Sequence, residues 1–371
     1  MRIVHISDCY LPRLGGIEVQ VSGLAQQQAA RGHDVHVITA TRPLPHVAPQ
    51  SHEAGVTVHR VTARVPFDLP LHPRAKKNIT EKLAALQPDV VHVHMGAVSQ
   101  FAWAGIAASA KLAIPSLTTV HSMWARWTRV MYAIIRLFNR WDSGTQLAAV
   151  SHAAAALVQE ATRHGVLVTV NGVDLDAWRG GLDLAAHHQR IQLASATRFA
   201  ARKRVMQLLE LINELHQQFG ERCPQLVIAG NGSQFIEAQQ FVVRNKLENV
   251  ITLAGRMERD ELKTLFVKSD AFIQLSELEA FGLAAIEARA VGLPVFGRAG
   301  NGFSEFVEHG VTGYLESSDA GVKARLIEFM QNPSGLARLK AASAANPPQQ
   351  DWNYALQQVD DCYQRAISRL R

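Results

Sequence analysis

The amino-acid sequence predicts an α/β protein built from two doubly wound domains. Three observations carry this. Short β-branched runs alternate with helical stretches, the series occurs twice, and 371 residues exceed what one ordinary core accommodates. The first series reads RIVHIS, HDVHVIT, VTVHRV, DVVHVH, SLTTV and QLAAVS. The second, from about Arg190, reads RIQLASATR, QLVIAGNG, NVITLAG, AFIQLS, LPVFGR and TGYLE. Strands alternating with helices form a parallel sheet covered on both faces, with ligands at the carboxyl ends of the strands. The intervening VTVNGVDLDAWRGGLDLAAHHQ reads as a last strand followed by a linker. Asn346-Pro347-Pro348 stops the Ala-rich helix before it, and an amphipathic helix is predicted from about Asp351 to Arg369. The expected division is 1–172 for the first domain, 173–188 for the linker, 189–346 for the second domain and 347–371 for the final helix.

Composition narrows the function classes. Apolar residues at 47% and charged residues at 19% exclude a disordered chain. Lys plus Arg number 38 against 32 Asp plus Glu, so anionic partners are favoured without being named. Cys9, Cys223 and Cys362 are scattered and lack C-x-x-C spacing, which argues for a reducing compartment and against a disulfide framework or zinc knuckle. His5 and Asp8 interrupt the first apolar run, and no stretch reaches the ~18 apolar residues of a membrane span. A cytoplasmic protein is expected. The arginines are scattered and no nucleic-acid-binding module is present.

Two segments carry candidate chemistry. Gly15-Gly16 stands between the first strand and a helix, where backbone N–H groups can meet a phosphate; a plain tight turn reads equally well. Neither G-x-G-x-x-G nor a G-x-x-x-x-G-K-[ST] loop is present, which disfavours nicotinamide and ATP-hydrolysis chemistry. In Ser276-Glu277-Leu278-Glu279-Ala280-Phe281-Gly282-Leu283-Ala284-Ala285-Ile286-Glu287, Glu279 is expected just before a helix and Glu287 about five residues inside it. At 1.5 Å per residue the carboxylates stand roughly 8 Å apart along the axis, a span one ligand can bridge. Two unrelated surface acids are the alternative. Arg198 and Lys203, near the start of the next helix, can neutralise a diphosphate together with helix N-termini; a solvated basic loop is the alternative there.

The chain resembles the retaining glycosyltransferases of family 4, which have the GT-B fold of two Rossmann-like domains facing across a cleft. The matching pieces run in family order: Pro12-x-x-Gly15-Gly16-Ile17-Glu18, Arg31-Gly32-His33-Asp34-Val35, Asp89 to His94, Thr119-Val120-His121, Val150-Ser151 and Asn171-Gly172-Val173-Asp174. They continue with Arg198-x4-Lys203, Gly230-Asn231-Gly232, Gly255-Arg256, Glu279-x-Phe281-Gly282-x4-Glu287 and Gly292-x-Pro294-Val295. The resemblance implies a nucleotide-diphosphate-sugar donor, an acceptor bound mainly by the first domain, and a final helix that packs back onto that domain. It implies that Gly16 approaches the donor phosphates and His121 the transferred sugar. Arg198 and Lys203 would bind the diphosphate, Gly232 and Arg256 border the base, Glu279 with Phe281, Gly282 and Leu283 hold the sugar and distal phosphate, and Glu287 bind the ribose. No metal and no cofactor are implied. One departure stands out: Arg204 follows Lys203 where the family usually has glycine, which puts the start of that helix in doubt. A nucleotide-sugar epimerase or hydrolase and a non-catalytic adaptor are the competing functions for such a scaffold.

Other constellations are weaker. Asp174-x-Asp176 matches a metal motif of a different fold but sits beside the linker. His92 and His94 share a strand face and read better as hydrogen-bonded core residues than as zinc ligands. His187-His188 reads as linker, and Asn78 and Asn231 fit a glycosylation pattern that a cytoplasmic chain would never use. In WARWTRVMYAIIRLFNRW, Trp124, Trp127, Val130, Met131, Ile134, Ile135, Leu137, Phe138 and Trp141 share one broad helical face, and Arg126, Arg129, Arg136 and Arg140 lie opposite. The preferred expectation is that the apolar face packs in the core. The alternative is peripheral binding to the inner face of an anionic membrane that presents a lipid-linked acceptor.

Overall fold

The computed structural model describes residues 1–13, 15–44, 48–62, 73–139, 141–182 and 189–369. It divides into two compact units, Met1–Gly172 with Trp352–Arg371, and Val173–Asp351.

The first unit runs β1 (Arg2–Ser7), α1 (Gly16–Ala30), β2 (Asp34–Thr39), β3 (Gln50–Glu53), β4 (Val56–Arg60), α2 (Ala75–Leu86), β5 (Val90–Met95), α3 (Gln100–Lys111), β6 (Ser116–Val120), α4 (Arg126–Asn139), β7 (Gln146–Ala149), α5 (His152–Gln159) and β8 (Val166–Val168). Its strands are ordered β3-β4-β2-β1-β5-β6-β7-β8, parallel except for β3, which pairs antiparallel with β4. Every residue of β5 and β6 is buried, as a sheet covered on both faces requires. β8 ends at Val168, so the last strand falls slightly earlier than the sequence suggested.

The second unit runs α6 (Leu175–Trp178), β9 (Gln192–Ala196), α7 (Val205–Phe219), β10 (Gln225–Ala229), α8 (Phe235–Arg244), β11 (Ile251–Gly255), α9 (Arg259–Val267), β12 (Ala271–Gln274), α10 (Leu283–Val291), β13 (Val295–Arg298), β14 (Gly313–Glu316), α11 (Asp319–Gln331) and α12 (Pro333–Ala345). The strand order is β11-β10-β9-β12-β13-β14. Part of the expected linker is packed: Trp178 is buried against Phe266, and Val173 donates to the Gln350 carbonyl at 3.0 Å. The rest of it, residues 183–188 with His187 and His188, lies outside the described residues.

The final helix α13 (Trp352–Ser368) belongs to the first unit and contacts α1, β6 and β7. Gly23 and Gly172 leave the space that the Trp352 ring occupies, since a Cβ at either position would collide with it. All three cysteines are free thiols.

Candidate active site

In the second sheet the order reverses at β9, whose neighbours are β10 and β12, so the loops leaving β9 and β12 diverge and open a crevice. Arg198 follows β9. Residues Ala201–Lys203 form a 3-10 turn, and Lys203 Nζ lies 2.5 Å from Glu279 Oε2. Gln274, at the end of β12, donates to the same carboxylate oxygen at 2.8 Å. Sequence reasoning missed Gln274, a polar residue on a fully buried strand and therefore a readable signal.

Glu279 stands just before α10, whose N-cap is Gly282 at φ +96°, a conformation that favours glycine; a Cβ there would also strike the Phe303 ring. Phe281 is buried against Phe306, so only its backbone is available to a ligand. The Leu283 and Ala284 N–H groups precede the first bonds of α10, which Ala285 and Ile286 make to the Gly282 carbonyl, and a helix start of this kind can accept an anion. Glu287 is the fifth residue of α10; burial pushes its carboxyl up to about 8, with the Arg259 charge pulling the other way.

Gly232 follows β10, where a Cβ would collide with the Phe199 carbonyl, and the exposed Arg256 follows β11, 3.9 Å from Glu258. The predicted residues thus lie along the carboxyl edge in sheet order: Arg256, Gly232, Arg198 with Lys203, then Glu279. Three strand spacings of ~4.8 Å separate the two ends, roughly 14 Å. Among them, Lys203 and Glu279 are joined by an ion pair.

Arg204 explains how the chain departs from the family pattern without losing the turn. It adopts the left-handed conformation itself (φ 55°, ψ 37°) as the N-cap of α7. Its guanidinium pairs with Asp319 and with Glu277 (3.2 Å), and Arg298 reaches the same two acids at 2.6 and 3.0 Å. Two cations and two acids thus close a network over the strained residue.

In the first unit the order reverses between β1 and β5. Gly15, in extended conformation, caps α1, and a Cβ there would collide with the Glu18 carboxylate. Gly16 is the first residue of the helix. His121 follows β6 and is one end of a buried row: its Nε2 is 2.9 Å from His94 Nδ1, His94 Nε2 is 2.9 Å from His5 Nδ1, and His5 Nε2 is 2.7 Å from Gln28 Oε1. His92 joins at the side through Tyr363 (2.9 Å) and Thr119 (2.8 Å). Burial lowers the pKa of all four histidines, to about 4 for His5 and His121. The nitrogens of His5, His92 and His94 that are close enough to share a metal are already bonded to one another, to Gln28, to Tyr363, to Thr119 or to His121. Asp174 caps α6 and pairs with Arg259, and Asp176 pairs with Arg179, so these acids also have local work.

The orientation of α4 overturns the preferred sequence expectation. Its buried line is Thr128 and Tyr132, whose ring stacks on Trp124 at 4.0 Å, while Trp127, Val130, Ile134 and Leu137 are 60, 52, 51 and 69% exposed. The aromatic residues at the two ends, Trp124 and Trp141, satisfy the core with Tyr132, which frees the remaining apolar face to point outward. The arginines do not form a solvated face either: Arg129 pairs with Glu160 (2.9 Å) and Arg136 donates to the Ala161 carbonyl (3.3 Å). Arg126 is exposed; Arg140 and the Phe138 side chain lie outside what is described. Among the described residues no helix is long and apolar enough to cross a membrane.

Two doubly wound parallel sheets, each followed by a helix start at its switch point, have the architecture of the GT-B glycosyltransferases, and comparison with known proteins agrees. Residues 14–177 match the model described as glycosyltransferase family 4, and residues 183–345 match glycosyl transferases group 1. The chain belongs to glycosyltransferase family 4. It is 24% identical to the alpha-monoglucosyldiacylglycerol synthase of Acholeplasma laidlawii (94% of this chain, 93% of the relative) and 27% identical to the N-acetyl-alpha-D-glucosaminyl L-malate synthase of Bacillus anthracis (87% and 86%). Anabaena Alr3699/HepE, solved in complex with UDP, shares the fold with a TM-score of 0.76 at 19% identity, over 98% of this chain and all of that one.

Proposed function

We propose that this glycosyltransferase moves a hexose from a nucleotide-diphosphate sugar to an acceptor hydroxyl, with retention at the anomeric carbon and without a metal ion. The observation that carries the reading is the crevice at β9 and β12, where Lys203, Arg198, the start of α10 and Glu279 stand together. In this reading the base lies by Gly232 and Arg256, Glu287 takes the ribose, Arg198 and Lys203 take the diphosphate and Glu279 takes the sugar. His121 and Gly16 serve the transferred sugar and the phosphates, as the family pattern implies.

The reaction passes through an oxocarbenium-like transition state, so catalysis consists of orienting the partners and stabilising the departing diphosphate. Two cations and helix N-termini supply that charge. Glu279 Oε2 is already engaged by Lys203 and Gln274, which favours a holding role over nucleophilic attack; a leaving phosphate oxygen then accepts the acceptor proton. Arg198→Ala and Lys203→Ala should each lower kcat/KM at least tenfold, with turnover unaffected by EDTA. Near-normal kinetics in both variants, or loss of activity in EDTA restored by Mg²⁺, would contradict the assignment.

The acceptor in this reading is carried by an anionic membrane. The exposed stripe of α4 supports it, as do Arg74, Lys76 and Lys77 near the start of α2 and Lys111 at the end of α3, which line one basic depression; α3 packs on both α2 and α4. The Acholeplasma relative is named for a glycolipid.

A further inference from the structure

The row from Gln28 to His121 has a property that no single contact shows. A neutral imidazole has one N–H and one lone pair, so each hydrogen bond between two such rings fixes both partners. The Gln28 side-chain nitrogen donates to the Tyr363 hydroxyl at 3.2 Å, which turns the amide oxygen toward His5 Nε2. That oxygen only accepts, so the proton of His5 sits on Nε2 and Nδ1 is the acceptor. His94 must then donate from Nε2 and accept at Nδ1, and His121 must donate from Nε2. We propose that Gln28 of α1 sets the tautomer of His121, two rings away on the far side of β5, and keeps His121 Nδ1 as a lone pair that accepts a hydrogen bond from a sugar hydroxyl.

The functional half of this inference rests on the role of His121 under the proposed function; the tautomer half does not. Gln28, His5 and His94 are positioning residues. The row ends inward at an amide that cannot take a proton, so it orders protons and offers no exit for one. Both side chains of the first link are buried, with Gln28 and His5 at 1% and 0% exposure, so water cannot substitute for the missing partner when one is removed.

Replacing the amide gives opposite expectations for two substitutions. In Gln28→Glu the carboxylate still accepts from His5 Nε2, and the order is kept. In Gln28→Met an Nε2–H would be buried without an acceptor, which costs more than an unfilled lone pair. The proton of His5 therefore moves to Nδ1, His94 follows, and His121 changes to the Nδ1–H form.

The test is a long-range ¹H–¹⁵N correlation spectrum of ¹⁵N-histidine-labelled full-length protein at pH 7, with His121 identified by its loss in His121→Gln. Wild type and Gln28→Glu are expected to show Nε2–H at His5, His94 and His121. Gln28→Met is expected to show Nδ1–H at His121, with kcat at least tenfold lower and affinity for free nucleotide unchanged. Should Gln28→Met not fold, His5→Leu carries the same expectation for His94 and His121. Nδ1–H at His121 in wild type, an unchanged His121 tautomer in a folded Gln28→Met or His5→Leu protein, or zinc retained stoichiometrically after chelation would overturn the inference. A tautomer change without any loss of turnover would overturn the functional half alone. If no nucleotide sugar turns over in wild type, the proposed function fails while the spectra still decide the proton order.

Discussion

Arg204 shows how one residue can depart from a family pattern and keep its geometry. The left-handed conformation costs a non-glycine residue about 1–2 kcal/mol, and the pairs with Glu277 and Asp319 offset part of it. Arg204→Ala retains the strain and loses the pairs, whereas Arg204→Gly loses both. The glycine variant should therefore be the more stable of the two by about 1 kcal/mol, the reverse of their order inside a helix, as read from urea unfolding midpoints. Glu287 allows a second residue-scale prediction. Ribose hydroxyls donate best to the ionised carboxylate, and that form becomes dominant only as the pH rises through about 8. Nucleotide affinity should therefore rise with pH between 7 and 8.5 and flatten above, with proton release on binding at pH 7 by calorimetry in two buffers. Glu287→Gln should remove both effects. Affinity independent of pH in the wild type would refute the ribose assignment. The sequence showed these positions well: Glu279 falls just before α10 and Glu287 at its fifth residue, as glycine and proline punctuation suggested. What it could not show was that Arg204 supplies the missing glycine conformation, because the compensating acids lie 73 and 115 residues away.

At the scale of single elements, the parallel strands were legible because burial on both faces leaves continuous β-branched runs. The polar edge strand β3, with sequence QSHE, was not, since its only structural cue is pairing with β4. Helix α4 is the instructive error. Its periodicity gave an apolar face, but periodicity carries no sign for inside and outside; Tyr132, with Trp124 and Trp141 just beyond the two ends of the helix, fills the core, and the middle of the face is left exposed. Inserting one large apolar side chain is worth ~1.5–3 kcal/mol and each basic residue near an anionic surface ~1 kcal/mol, so the proposed membrane contact would draw on both the stripe and the basic depression. Vesicles rich in phosphatidylglycerol should pull the protein down in co-sedimentation, with a blue shift of Trp127 emission. Ile134→Ser with Leu137→Ser should weaken binding at least tenfold, and Lys76→Gln with Lys77→Gln should reduce its dependence on salt. These residues are exposed, so folding is not at issue. No binding to such vesicles at low salt would favour a soluble acceptor.

For the whole molecule, two doubly wound units explain why the site residues are scattered through the sequence: in the second unit they close successive strands and meet only at its carboxyl edge. Arg198, Gly232, Arg256 and Glu279 each follow a different strand, and the reversal at β9 turns that chain order into the sheet order Arg256, Gly232, Arg198, Glu279. Retention with a membrane-borne acceptor is tested most simply by the anomeric configuration of the product. The protein would be incubated with α-linked UDP-, GDP- and ADP-hexoses and phosphatidylglycerol vesicles containing diacylglycerol or phosphatidylinositol, and the reaction followed by NMR. One donor is expected to release its nucleoside diphosphate in step with an α-linked glycolipid. A β-linked product, or no nucleoside diphosphate from any of the three donors, would contradict it.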